Sequence, residues 1–220
     1  MKHIHFIIAL MMALSVSAQE TTDNKKLRWL FKMSPQDLVN NTLKVGGEFL
    51  NTLNSKSISV FLQGIANNTG GGYWNGHQYN GLVTEIIVRK YLLPIQERLN
   101  RKDLPYTHGI YFSGFLKGGA YSGDFKGDDT SWDPVTNIRT STPYQFSFKA
   151  KNIAAGFMIG LQRMFWKTIS LDVYMGAGYQ ASQVSYKGTI SSYYSSANYY
   201  GKPDYSGVIP KFGVLIGLAM

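Results

Sequence analysis

Seven charged residues share one face of an alternating pattern: Lys44, Glu48, Glu85, Arg89, Lys117, Asp172 and Lys211. Gathered around an enclosed space, such groups either line an ion path or pair with one another. An unpaired buried charge is costly, so pairing is the expectation. Glu85 and Arg89 are four positions apart and, on a strand, about 13 Å apart, too far to pair with each other. Each needs partners from other strands: Lys44, Lys117 and Lys211 for the acids, Glu48 and Asp172 for Arg89. Other combinations carry less chemistry. Beyond residue 18 the histidines are His77 and His108. A hydrolase needs a nucleophile, a base and an orienting acid within reach. His108 and Ser113 are five apart and so fall on opposite faces of one strand. Asp124, Asp128, Asp129 and Asp133 lie in GDFKGDDTSWD, which lacks the spacing of a calcium loop and reads as a solvated loop. The triple glycine at 70–72 lacks the Lys-Ser/Thr of a phosphate loop. No catalytic residue, metal or cofactor is expected.

Strands must position these side chains. Thr168 to Ser182, TISLDVYMGAGYQAS, sets Ile169, Leu171, Val173, Met175, Ala177, Tyr179 and Ala181 against Ser170, Asp172, Tyr174, Gly176, Gly178, Gln180 and Ser182. Strict alternation is a strand pattern. Its length exceeds the usual five or six residues and matches the roughly 9–11 of a tilted spanning strand. Seven further segments alternate similarly: Leu27–Met33, Leu43–Phe49, Ser57–Ala66, Leu82–Leu92, Ile110–Ser122, Ile153–Phe165 and Val208–Met220. The predicted fold is an all-β, eight-stranded antiparallel up-and-down transmembrane barrel. Long polar runs after the third, fifth (Gly123–Asn152) and seventh segments would be loops at one end, with mostly short turns at the other. Aromatic girdles are expected at both ends of the strands. Trp29, Tyr91, Tyr106, Phe165 and Trp166 would form the girdle at the short-turn end, and Tyr73, Trp74, Tyr121, Tyr186 and Tyr205 the other.

Residues 1–18 read as a secretory signal peptide: Lys2, the apolar run Phe6–Leu14, then Ser15-Val16-Ser17-Ala18 before the cut. Residues 19–220 would form the barrel domain. The chain contains no cysteine, so disulfides cannot stabilise it. Its formal charge of +9 would suit nucleic acid in a soluble protein. Export argues against that partner and for anionic lipid head groups.

Several stretches carry a resemblance: Leu43–Ser59, Thr84–Tyr91 (TEIIVRKY), Gly109–Tyr121 and Ile159–Gln180 (IGLQRMFWKTISLDVYMGAGYQ). In them the chain resembles the small outer-membrane barrels of the OmpA-transmembrane-domain, OmpX and OmpW type. It most resembles a family of small Gram-negative barrels of unknown function. Such barrels usually end in an aromatic residue, whereas this chain ends Leu218-Ala219-Met220. The resemblance implies an outer-membrane location and no agreed activity. Its implied partners are outer-membrane lipids, with lipopolysaccharide at basic loop edges, and the barrel assembly machinery. The expectation is a non-enzymatic protein with a plugged polar lumen, acting structurally or through surface contacts of long extracellular loops, ligand unspecified. A narrow, porin-like channel or transporter for small solutes or ions is the alternative. A lipid-modifying outer-membrane enzyme is a second.

Overall fold

Alternation gives every strand two unlike faces, and a sheet can segregate them completely only by closing on itself. The computed structural model describes residues 28–39, 42–51, 56–69, 77–94, 109–133, 136–165, 168–189 and 205–219. In chain order these form β1 (Arg28–Met33), a short helix α1 (Pro35–Val39), β2 (Thr42–Asn51), β3 (Lys56–Thr69) and β4 (His77–Pro94). There follow β5 (Gly109–Asp133), β6 (Ile138–Phe165), β7 (Ile169–Thr189) and β8 (Gly207–Ala219). Each strand pairs antiparallel with the next and β8 returns to β1, giving a closed eight-stranded barrel.

The eight strands lie where alternation predicts them, but several run further. β3 reaches Thr69 and β4 starts at His77, paired through part of the run expected as a loop, and β5, β6 and β7 extend furthest. β5 and β6 stay in register from Gly109↔Gln162 to Asp133↔Ile138. The polar run Gly123–Asn152, expected as a loop, is therefore largely a β-ribbon, and the acidic segment Asp124–Asp133 is strand. Asn137, at φ 56°, turns the chain at its tip, in a left-handed conformation that Asn tolerates. β7 follows the ribbon as far as Thr189↔Gln145. A second apolar cluster explains this extension: Phe146, Phe148 and Ala150 are buried against Tyr121, Val184 and Tyr186. Tyr121 and Tyr186, expected in a girdle, thus belong to that cluster.

Closure is uneven. β1 pairs with β2 over six residues but with β8 over four, Leu30↔Ala219 to Met33↔Ile216. Above that seam α1 stands between β2 and β8, and the Gln36 side chain takes the place of a strand. Its Nε2 donates to the Phe212 carbonyl (3.3 Å) and its Oε1 accepts from the Val214 N–H (2.8 Å). Along the same edge of β8, Pro210 has no N–H to satisfy. The Val208 carbonyl accepts from the Tyr205 hydroxyl (2.9 Å). Unpaired strand edges are blunted by such devices.

The two faces are inverted relative to a soluble domain. Ile153, Phe157, Ile159 and Leu161 on β6, and Leu171, Val173 and Met175 on β7, are exposed, as are Leu82, Ile86 and Val88 on β4. Inside, Lys32, Glu48, Arg89 and Asp172 are at most 1 % exposed. On β6 the outward belt is bracketed by exposed Lys151 and Arg163.

Candidate functional site

The buried charges fall into two tiers separated by an apolar layer. The inner tier, toward the end where β1 begins and β8 ends, draws a side chain from each of β1 to β7. Lys32 meets Glu48 Oε2 (2.6 Å) and Asp172 Oδ2 (2.9 Å), while Arg89 Nη1 meets Glu48 Oε1 (3.1 Å) and Asp172 Oδ2 (3.0 Å). Two cations thus face two carboxylates, and the tier is electrically neutral. Gln162 Oε1 accepts from Lys32 (2.6 Å), Arg89 (3.2 Å) and Tyr91 (3.2 Å) without adding charge. The Tyr111 hydroxyl donates to Asp172 Oδ1 (2.6 Å) and the Ser57 hydroxyl to Glu48 Oε1 (2.5 Å), while the single Tyr91 hydroxyl proton is shared between Glu48 Oε1 (3.1 Å) and Gln162 Oε1 (3.2 Å). Arg89 also lies over the Tyr111 ring, 4.8 Å from its centroid. That ring crosses Gly160, its register partner, where any Cβ would overlap it. Gly160 is therefore part of the site.

Above the inner tier Ile87, Met158 and Leu215 are buried with Phe61, Phe115 and Tyr174. Ile87 lies midway between Glu85 and Arg89 on β4, so this layer is a septum between the two sets of charges. The outer tier lies beyond it. Glu85 gives one oxygen to Lys44 (2.8 Å) and the other to Lys211. Lys44 lies over the Phe61 ring (5.0 Å) and Lys211 over the Phe115 ring (3.8 Å). Lys117 is the register partner of Glu85 across β4 and β5. Among the described residues no carboxylate lies within ion-pair distance of its ammonium.

All seven charges expected to face inward do so, and the expected partners meet: Arg89 with Glu48 and Asp172, Glu85 with Lys44 and Lys211. Lys117 does not join them. Tyr91 is a correction: it is buried and bonded to Glu48 and Gln162, and is no part of an outer girdle. Two residues beyond Arg89, it has the parity of the lumen. Trp29 and Phe165 do face outward, Trp29 against Phe49 and Phe165 beneath Arg163. Tyr106, Trp166, Tyr73, Trp74 and His108 lie outside the described residues. Ser113 is buried, its hydroxyl donating to the Met158 carbonyl (3.3 Å). Sequence reasoning missed Lys32, Ser57, Tyr111 and Gln162. Lys32 shares the parity of Leu30, which was the available signal, but β1 is too short to make its pattern plain. Neither a scan of protein-family models nor a search of curated proteins returns a match to this chain.

Proposed function

We propose that this is a non-enzymatic outer-membrane barrel, exported with residues 1–18 as a cleaved signal peptide, whose interior is a structural plug. Its working surface would be the long-loop end, above all the β5–β6 ribbon. The observation that carries the reading is the arrangement of faces: paired charges inside, and outside a belt of exposed apolar side chains that on β6 runs unbroken from Ile153 to Leu161. On β6 the exposed Lys151 and Arg163 lie twelve residues apart. That is about 40 Å along a strand at ~3.3 Å per residue. It becomes roughly 30 Å in height at a tilt of ~40°, which equals the hydrocarbon thickness of a bilayer. Exposed bases at both rims suit anionic head groups, lipopolysaccharide among them. The apolar septum favours a plug over a steady channel, because a crossing ion would lose its water there without charged replacement.

The ribbon offers a clean test. Lys126 and Gln145 are register partners, so Gly127–Tyr144 can be replaced by a two-residue Asn-Gly turn without disturbing the strands below. The trimmed protein is expected to fractionate with the outer membrane and begin at Gln19, like the parent. Its cells should lose adsorption to surfaces or to one another while small-solute uptake stays unchanged. Altered uptake with adsorption intact would overturn the surface-contact reading and favour a channel.

A further inference from the structure

The outer tier holds three ammonium groups, Lys44, Lys117 and Lys211, against one carboxylate in direct contact, Glu85. Both Glu85 oxygens are already taken by Lys44 and Lys211. The next carboxylate, Asp37 of α1, accepts from Gln63 (3.4 Å) and reaches Lys44 and Lys117 only at longer range. The inner tier, by contrast, balances two cations with two anions. A barrel interior that pairs its charges so closely on one side of the septum leaves positive charge over on the other.

We infer that the outer tier is a binding site for a small oxyanion, a phosphate or carboxylate group, entering from the long-loop end. Access is set by the septum and the inner tier, which close the lumen below. Exposure within the tier therefore comes from above, where the Lys211 side chain is 12 % exposed and Lys117 is half-buried. The inward residues next above are mixed: Gly119, Asn152, Gly178 and Gln180 are small or polar, Val83 and Ile209 are apolar, and the Tyr121 ring lies over Gly119. Lys117 supplies the uncommitted ammonium. Lys211 supplies a second, steadied on the Phe115 ring and shared with Glu85. The Lys211 side chain is only 12 % exposed, so a small anion beside it would be held more firmly than at an exposed lysine pair. This site is independent of whether the belt faces lipid.

The test uses the full-length mature protein refolded in a phosphate-free neutral detergent. Thermal melts are recorded in inorganic phosphate, in acetate and in chloride at matched ionic strength. Ligand binding only to the folded state raises the melting temperature, and phosphate at ten times its Kd should raise it by about 3 °C or more over chloride. Lys117→Met should abolish that rise without lowering the melting temperature in chloride, because the charge it removes is unpaired. Lys90→Met, on the outward face, should keep the full response. A rise in acetate alone would assign the site to carboxylates. Coincident melts in all three salts would overturn the proposal, as would a full phosphate response in Lys117→Met. A fall in chloride as large as that of Lys44→Met would show Lys117 to be a structural cation and also overturn it.

Discussion

Arg89 is the residue on which the inner tier turns. It touches both carboxylates, the Gln162 amide and the Tyr111 ring, while Lys32 bridges the same acids from the opposite wall. Removing one member of a fully buried network costs more than the pair's own attraction, since the partners left behind are stranded without water. Arg89→Met is therefore expected to lower stability by about 3–5 kcal/mol. Arg163→Met, on the exposed rim, should change it by less than about 0.5 kcal/mol. Urea unfolding of the refolded proteins measures both. Near-equal losses would mean that the interior charges are solvated and the plug is loose. Gln162 illustrates a finer choice: a carboxylate in its place would accept the same three donors but would unbalance a neutral tier.

At the level of elements, the seam between β1 and β8 is the weak joint of the wall. Its upper part has no strand, and one side-chain amide serves two backbone groups of β8. Gln36→Leu keeps the bulk and removes both hydrogen bonds. It should cost about 1–3 kcal/mol and speed amide exchange at Val214, leaving exchange on β5 and β6 unchanged. Unaltered exchange at Val214 would show that Gln36 is not what closes the seam. The strand faces allow a second element-scale prediction, which rests on the bilayer reading. Val173 is 48 % exposed within the belt, and Val173→Arg should cost about 2–4 kcal/mol in lipid. Gln183→Arg lies on the same face of β7 but beyond the belt, and should be nearly neutral. An inward control such as Gly176→Ser is unsuitable, because a Cβ there meets the backbone of β6. Equal tolerance of the two arginines would show that the belt does not face lipid.

For the whole molecule the order along the axis is neutral charge tier, apolar septum, cationic tier. No single layer would stop conduction as well as the three in series. The unmodified protein in a planar bilayer should give no steady conductance at neutral pH. Combined Ile87→Ala and Leu215→Ala, which thin the septum without touching a charge, should introduce flickering current. Stable single-size steps from the unmodified protein would refute the plug. The ribbon sets the other large-scale feature. It carries β5, β6 and β7 beyond the belt on one side of the barrel, packed by the Phe146–Phe148 cluster, so that end is asymmetric.

The alternation of side chains located eight strands and put seven charges on one shared face. That this face looks inward came from the charges themselves, which do not suit a surrounding of lipid, and closure from the cost of leaving sheet edges unpaired there. The charges on that face also named Glu48 and Asp172 for Arg89 correctly, and two of the three lysines offered to the acids, Lys44 and Lys211, meet Glu85, because buried charges restrict their own pairing. Period-two patterning is a local property, and it survives into the fold wherever a strand has unlike surroundings on its two faces. What alternation cannot specify is which inward residues reach the same height, since that depends on the stagger of strands around the closed barrel. Lys32 joins Glu48 and Asp172 for that reason, whereas Lys117, the register partner of Glu85, is left over because both Glu85 oxygens go to Lys44 and Lys211. Uncharged Gln162 and Gln36 leave no trace in a charge pattern, though one anchors the inner tier and the other closes the seam. The polar stretch Gly123–Asn152 became ribbon because Phe146, Phe148 and Ala150 found Tyr121, Val184 and Tyr186 on adjacent strands. That contact exists only once β5, β6 and β7 lie side by side, and so only the tertiary structure could decide it.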